Sequence, residues 1–159
     1  MIHINIICVG KIKEKYLNDA INEYSKRLSK YCKLNIIELN DEPIPNNLNC
    51  KLSDSIKKIE GLKIIPCLKN TYSISLDLDG KQYTSEEFST KLENIALNKN
   101  SNISFIIGGS LGLSDEVISN SNELICFSKM TFPHQLIRVF LLEQLFRAFK
   151  IQNNETYHR

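Results

Sequence analysis

Three stretches of this sequence hold residue types that could do chemistry. The first is Gly108-Gly109-Ser110-Leu111-Gly112-Leu113, directly after the mostly apolar run Ile103 to Ile107. Glycines at a strand end let a backbone approach a ligand closely and adopt positive φ, and they also make ordinary tight turns. A dinucleotide fingerprint starting at Gly108 needs glycine at 110 and 113, where Ser110 and Leu113 stand. A P-loop starting there needs glycine then lysine from position 113 and fails as well. The second stretch is Lys129-Met130-Thr131-Phe132-Pro133-His134, after Phe127-Ser128. Met130 and Phe132 could pack on a flat ring or on the core, and free amides at a helix start could hold a polar ligand edge. His134 could act as a general base, bind phosphate, or only hydrogen-bond at the helix start. The third stretch is the tail Glu155-Thr156-Tyr157-His158-Arg159, which ends on an aromatic, an imidazole and a guanidinium.

Arginine usage points to the same region. There are sixteen lysines and four arginines, and Arg138, Arg147 and Arg159 fall in the last 22 residues. Where lysine is the default cation, arginine suggests a need for its planar fork, suited to phosphate, carboxylate and base edges. Glu143 and Arg147 have i, i+4 spacing, for which surface stabilisation is the plain reading.

These residues need a scaffold, and the hydrophobic periods supply one. His3 to Val9, Leu34 to Leu39, Tyr72 to Leu78, Ile103 to Ile107 and Glu123 to Ser128 read as strands. Leu76 stands near the end of the middle strand, before Asp77 and a turn at Asp79-Gly80. Helical spacing covers Lys13 to Lys30 and roughly Leu52 to Ile65, where Pro66 is expected to stop the helix. Thr84 and Glu87 form a capping box for a helix to about Asn98, and a short helix starts near Ser114. Pro133 is expected as the first residue of a long last helix. This alternation predicts one α/β domain over 1–159, a mostly parallel sheet with helices on both faces. In such sheets ligands bind beyond the carboxyl ends of the strands, where Leu76, Gly108 and Phe127 fall.

The last helix carries two apolar faces. Leu136, Ile137, Val139 and Phe140 share one side, and Leu141, Leu142, Leu145, Phe146, Ala148 and Phe149 share roughly the opposite one. A rotated apolar face suits burial against two bodies, so a homodimer through this helix is expected.

Composition narrows the class. Apolar content is 42%, charged content 24% and formal net charge +2, as in ordinary globular proteins. No apolar run approaches the roughly 20 residues of a membrane span, and the start lacks the features of a signal peptide. Five cysteines with no short paired spacing suggest neither a zinc site nor a disulfide framework, so no metal and a reducing cytoplasm are expected. The basic residues Lys11, Lys13, Lys15, Lys26, Arg27, Lys30 and Lys33 read first as a solvated helix face, second as an RNA contact surface.

Phe105-Ile106-Ile107-Gly108-Gly109-Ser110-Leu111-Gly112-Leu113, Ser128 to Gln135, Arg138-Val139, Glu143-Gln144, the ending Tyr157-His158-Arg159 and the opening Val9-Gly10-Lys11 together resemble the ribosomal RNA large subunit methyltransferase H family. The resemblance spans essentially the whole chain, with Leu111 departing from the polar residue of the family. It implies a SPOUT-class α/β fold with a C-terminal trefoil knot, a homodimer, and S-adenosyl-L-methionine as methyl donor. It implies methylation of N3 of a pseudouridine in 23S ribosomal RNA on the assembled ribosome. Cofactor contacts are then expected at Leu76, Gly108, Phe127, Ser128, Lys129, Met130, Thr131 and Phe132. Catalytic candidates are His134, Glu143 and His158, and RNA-binding candidates are Arg138, Arg147, Tyr157 and Arg159. Alternatives are a SPOUT-type enzyme with another target base, a non-catalytic RNA- or ribosome-binding domain, and a nucleotide-dependent enzyme weakened by the failed glycine spacings. Deleting Tyr157-His158-Arg159 is expected to abolish methyl transfer while leaving cofactor binding largely intact. Full activity of the truncated chain in a methyl-transfer assay would contradict a role for the tail.

Overall fold

A computed structural model describes residues 1–157. His158 and Arg159 lie outside the described residues. The elements follow the expected alternation: β1 (Ile2–Val9), α1 (Lys15–Leu28), β2 (Cys32–Leu39), α2 (Cys50–Ile64), β3 (Tyr72–Lys81), α3 (Ser85–Asn98), β4 (Asn102–Ile107), α4 (Asp115–Asn120), β5 (Glu123–Ile125) and α5 (His134–Gln152). The sheet order is β2-β1-β4-β3-β5, and every pairing is parallel.

Two cores explain why the strand sequences are apolar on both sides. Ile4, Ile6 and Cys8 of β1 and Ile103, Phe105 and Ile107 of β4 pack against α1, α3 and α5. Ile7, Val9 and Ile106 face the other way, onto Ile64 of α2, Leu113, and Val117 of α4. A central strand covered on both faces reads as a near-continuous hydrophobic run, as 103–107 does apart from Ser104, whose buried hydroxyl meets Thr71 Oγ1 at 2.9 Å. Cys8 and Cys32 are buried in the first of these cores as small apolar residues, and Cys126 is buried just beyond β5.

Local chemistry sets the helix starts. Thr84 Oγ1 accepts from the Glu87 amide at 3.1 Å and Glu87 Oε2 accepts from the Thr84 amide at 2.8 Å, completing the expected box. Asn49 caps α2 through Leu52 at 2.9 Å, and Ser114 caps α4 through Val117 at 3.3 Å. Each such cap contributes about 1 kcal/mol.

Several boundaries differ from the sequence expectation. α2 ends at Ile64, as Pro66 led one to expect, but it starts two residues earlier, at Cys50, and the chain runs on as a 3-10 turn over Ile65–Leu68 that contains Pro66. Pro133 precedes α5 rather than opening it: its ψ of 132° is extended, and its carbonyl accepts from Ile137 at 3.0 Å. β5 ends at Ile125 instead of Ser128, so Cys126 to Ser128 leave the sheet.

The end of β3 explains that early exit. Both Leu76 and Lys81 pair with Ile125, so residues 77–80 are displaced from the regular register. The expected turn at Asp79-Gly80 is absorbed into this irregularity, where the Asp79 amide donates to Asp77 Oδ1 at 2.9 Å. The Cys126 amide then donates to the Lys81 carbonyl at 3.0 Å, which uses the last pairing β3 offers. A Cβ on Gly80 would stand 2.4 Å from the Ile125 carbonyl carbon, a backbone overlap no rotamer change relieves. Gly80→Ala is therefore expected to destabilise the fold by about 2–3 kcal/mol. Urea unfolding should show a lower midpoint at unchanged m-value, and an unchanged midpoint would contradict the close approach.

Candidate functional site

Because all strands run the same way, their carboxyl ends meet on one edge. Ser75 pairs with Ile106, so Leu76 and Ile107, the residue before Gly108, follow on neighbouring strands. Leu76 also pairs with Ile125, the residue before Cys126-Phe127. Three of the stretches singled out in the sequence are thus neighbours across strands about 4.8 Å apart. The loop after β4 is tight: the Gly112 amide donates to the Gly109 carbonyl at 3.1 Å, and Gly112 has φ of +88°. At Gly108 a Cβ would stand 2.9 Å from the Gly112 carbonyl carbon, so side chains are excluded there.

The run 127–132 is half-buried at its two ends and exposed in its middle. Phe127, Ser128 and Phe132 are half-buried, whereas Lys129, Thr131 and Met130 (73% exposed) face outward. Ser128 Oγ accepts from the Met130 amide at 3.1 Å, a local turn that fixes the loop. Phe132 meets Phe140 edge-on with centroids 5.4 Å apart. Phe127, Phe132, Phe140 and Glu143 help to line a cavity of about 260 Å³, closed on the other side by residues 83–85 and Phe88. Leu76, Gly108 and Ser128 to Thr131 do not line it. Tyr83 is held in this wall by donating to Glu123 Oε1 at 2.5 Å, and Lys91 pairs with Glu123 Oε2 at 2.7 Å.

Glu143, Arg147 and Tyr157 come together at the cavity rim. Arg147 Nη2 donates to Glu143 Oε1 at 2.5 Å, and Tyr157 Oη donates to the same oxygen at 3.3 Å. Gln144 donates to Glu143 Oε2 at 2.8 Å. The Arg147 guanidinium also lies over the Tyr157 ring, 4.8 Å from its centroid. Burial, then the Glu143 charge, pushes the Tyr157 hydroxyl up from its ordinary value.

His134 and Arg138 belong to a different corner. Nine residues separate His134 from Glu143 on α5, roughly 13 Å at 1.5 Å per residue. His134 lies against Gly10 and beside Asp41; burial first, then Arg138, holds its imidazole below the ordinary value. Arg138, expected to meet RNA, is 2% exposed. Its Nη2 donates to the Gly10 carbonyl at 2.7 Å and the Val9 carbonyl at 3.3 Å, and Nη1 faces Glu38 at 3.5 Å. Its fork thus fastens the last helix to the end of β1, and this separates it from Arg147 and Tyr157. On α5 the face containing Leu136, Ile137 and Val139 is half-buried and Phe140 is exposed, whereas 141, 142, 145, 146, 148 and 149 are buried.

Sequence reasoning missed the tail's anchor. Glu155 accepts from Tyr31 Oη at 3.0 Å, from Lys30 Nζ at 3.2 Å and from Lys150 Nζ at 2.5 Å. The separations of 124 and 125 residues to Tyr31 and Lys30 are beyond any local pattern. These hydrogen bonds, Lys150 first, hold the Glu155 carboxyl down at about 2 from an ordinary 4.5. A depressed carboxylate stabilises docking fully above the ordinary value and loses that contribution as pH falls from about 4.5 towards 2. Amide exchange at residues 153–157 is expected to accelerate over that window before the sheet opens, and Glu155→Gln should remove the pH dependence. Exchange that stays flat to pH 2 in the wild type would contradict the anchor.

Among the described residues no group of three or more His, Cys, Asp or Glu is placed to hold a metal ion. None of their helices is long and apolar enough to cross a membrane.

A parallel sheet covered on both faces, with loops of its last third gathered on one edge beside an aromatic-walled cavity, defines a ligand-binding α/β protein. The family described as "Predicted SPOUT methyltransferase" matches residues 2–158. The chain is 57% identical over 158 residues to the ribosomal RNA large subunit methyltransferase H of Clostridium acetobutylicum, covering 99% of both chains. It is 60% identical to the protein of that name from Clostridium botulinum strain Okra, again over 99% of both. In fold it resembles a methylase family protein from Haemophilus influenzae Rd KW20, with TM-score 0.60 at 12% identity, covering 98% of this chain and 70% of that one. A methylase family protein from Neisseria gonorrhoeae gives TM-score 0.55 at 13% identity, covering 98% and 86%. The chain belongs to the SPOUT methyltransferases, and among them to the ribosomal RNA large subunit methyltransferase H family.

Proposed function

We propose that this protein methylates N3 of a pseudouridine in 23S ribosomal RNA, on the assembled ribosome, with S-adenosyl-L-methionine as donor. The observation that carries this reading is 57–60% identity over 99% of the chain to proteins named ribosomal RNA large subunit methyltransferase H. The loop edge agrees with it, because Leu76, Gly108 and Phe127 stand on three adjacent strand ends. The cavity of about 260 Å³ is small for a whole ligand, yet its walls of Phe127, Phe132 and Phe140 fit a purine ring.

When bound, the cofactor supplies an electrophilic methyl group on a positively charged sulfur. The residues of this chain have three tasks. The loops after β3, β4 and β5 fix position and orientation, which is the main contribution to a direct displacement. A base among this chain's residues would take the proton from N3 as that atom accepts the methyl group. His134 is the candidate for that role: burial first, then Arg138, favours its neutral, proton-accepting form. Glu143 is already engaged by Arg147, Gln144 and Tyr157, which suits an organiser of the RNA-binding rim. Arg147 and Tyr157 then meet phosphate and base, joined by His158 and Arg159 of the tail. The half-buried face of α5 is the proposed homodimer contact, and the knot implied by the family belongs to the C-terminal third. A ribosomal substrate places the work in the cytoplasm.

The test is methyl transfer to ribosomes and to naked RNA from a strain lacking this gene. Labelling of assembled ribosomes at N3 of one pseudouridine is expected. Labelling of another base, or none on ribosomes, would overturn the assignment.

A further inference from the structure

Glu60 is the one acidic side chain among the described residues that is buried, at 5% exposed. It lies on α2, outside every stretch so far assigned a role. Its Oε1 accepts from the Glu42 amide at 3.0 Å, and no hydrogen-bond donor among the described residues reaches Oε2. That free oxygen faces the loop after β4. Oε2 and Oε1 stand 3.2 and 3.5 Å from where a Cβ on Gly109 would be, so the bare glycine lets the carboxylate lie close against the loop.

The surroundings do not neutralise it. Asp41 and Glu42 face it from the segment between β2 and α2, and Lys63 is the one cation near it on α2 itself. Lys63 is committed to Glu42 Oε1 at 2.6 Å and to the Asn40 carbonyl at 2.8 Å. From β1 the neighbour at Gly109 is the apolar Val9. Burial, and secondarily the Asp41 and Glu42 charges, pushes the carboxyl up. Oε2 is not sealed from solvent, so a donor on a ligand can reach it.

A carboxylate oxygen accepts only donors and attracts only cations. RNA phosphates and base carbonyls are repelled there. We infer that Glu60 forms an ammonium subsite on the glycine loop and receives the α-ammonium of the methyl donor through its free oxygen. This rests on the cofactor placement proposed above, at Gly108 beside Gly109. The donor carries two cationic centres, and only the ammonium has N–H groups to give.

Glu60→Gln separates this from plain loop support, because the amide oxygen can still accept from Glu42 while the charge is gone. Calorimetry would compare S-adenosylhomocysteine, which keeps the ammonium on a neutral thioether, with 5′-deoxy-5′-methylthioadenosine, which has the nucleoside and thioether but no ammonium. In Glu60→Gln the first ligand is expected to bind about ten- to a hundredfold more weakly, the range of a charge-assisted hydrogen bond, and the second within about twofold. For the wild type, S-adenosylmethionine affinity should fall as pH is lowered and Glu60 takes a proton, a dependence absent from the variant. Equal loss for both ligands, or no loss for either, would overturn the subsite and leave the methyltransferase reading standing. A wild-type protein that binds neither ligand would overturn both.

Discussion

Parallel pairing is the constraint on which the rest of this structure depends. With five strands running one way, every carboxyl end, and every loop that follows one, lies on the same edge. Helices must then carry the chain back, and their apolar faces cover both sides of the sheet. The candidate site is a consequence: residues 76, 108 and 127 lie far apart in sequence yet end adjacent strands.

Two close contacts give this edge its particular shape. Gly80 brings the end of β3 against the Ile125 backbone, so β5 stops after three residues and 126–133 leave the sheet as a loop. Arg138 takes the carbonyls of Val9 and Gly10, tying the last helix to the first strand. Between these fixed points Phe132 and Phe140 meet, and Glu143 stands at the rim with Arg147 and Tyr157. Glu60 approaches the same edge from the opposite face of the sheet through Gly109. The pocket is thus assembled from elements that share little local sequence.

Much of the scaffold was legible because its signals are local. The Thr84–Glu87 box, the mostly apolar run 103–107 and the glycines after it each act within a few residues. What was not legible depends on pairing across the fold. Asp79-Gly80 has turn chemistry, yet β3 carries it in a register shift because Ile125 accepts two partners. Arg138 looks like a surface arginine in sequence, and only the end of β1 explains its burial. Glu60 sits in an ordinary helical stretch, and Glu155 in a tail of ordinary composition. Their partners, Gly109 and Tyr31, are supplied by tertiary structure. The methyl-transfer chemistry itself came from family resemblance, since glycine loops and aromatic walls suit many ligands.

The central claim is that the cofactor is held where the loops after β3, β4 and β5 converge. Amide chemical-shift mapping with S-adenosylmethionine tests it most directly. The account predicts the largest changes at Leu76, Gly108 and Phe127 to Phe132, with little at the outer face of α2. Saturable changes confined to another part of the molecule would contradict it.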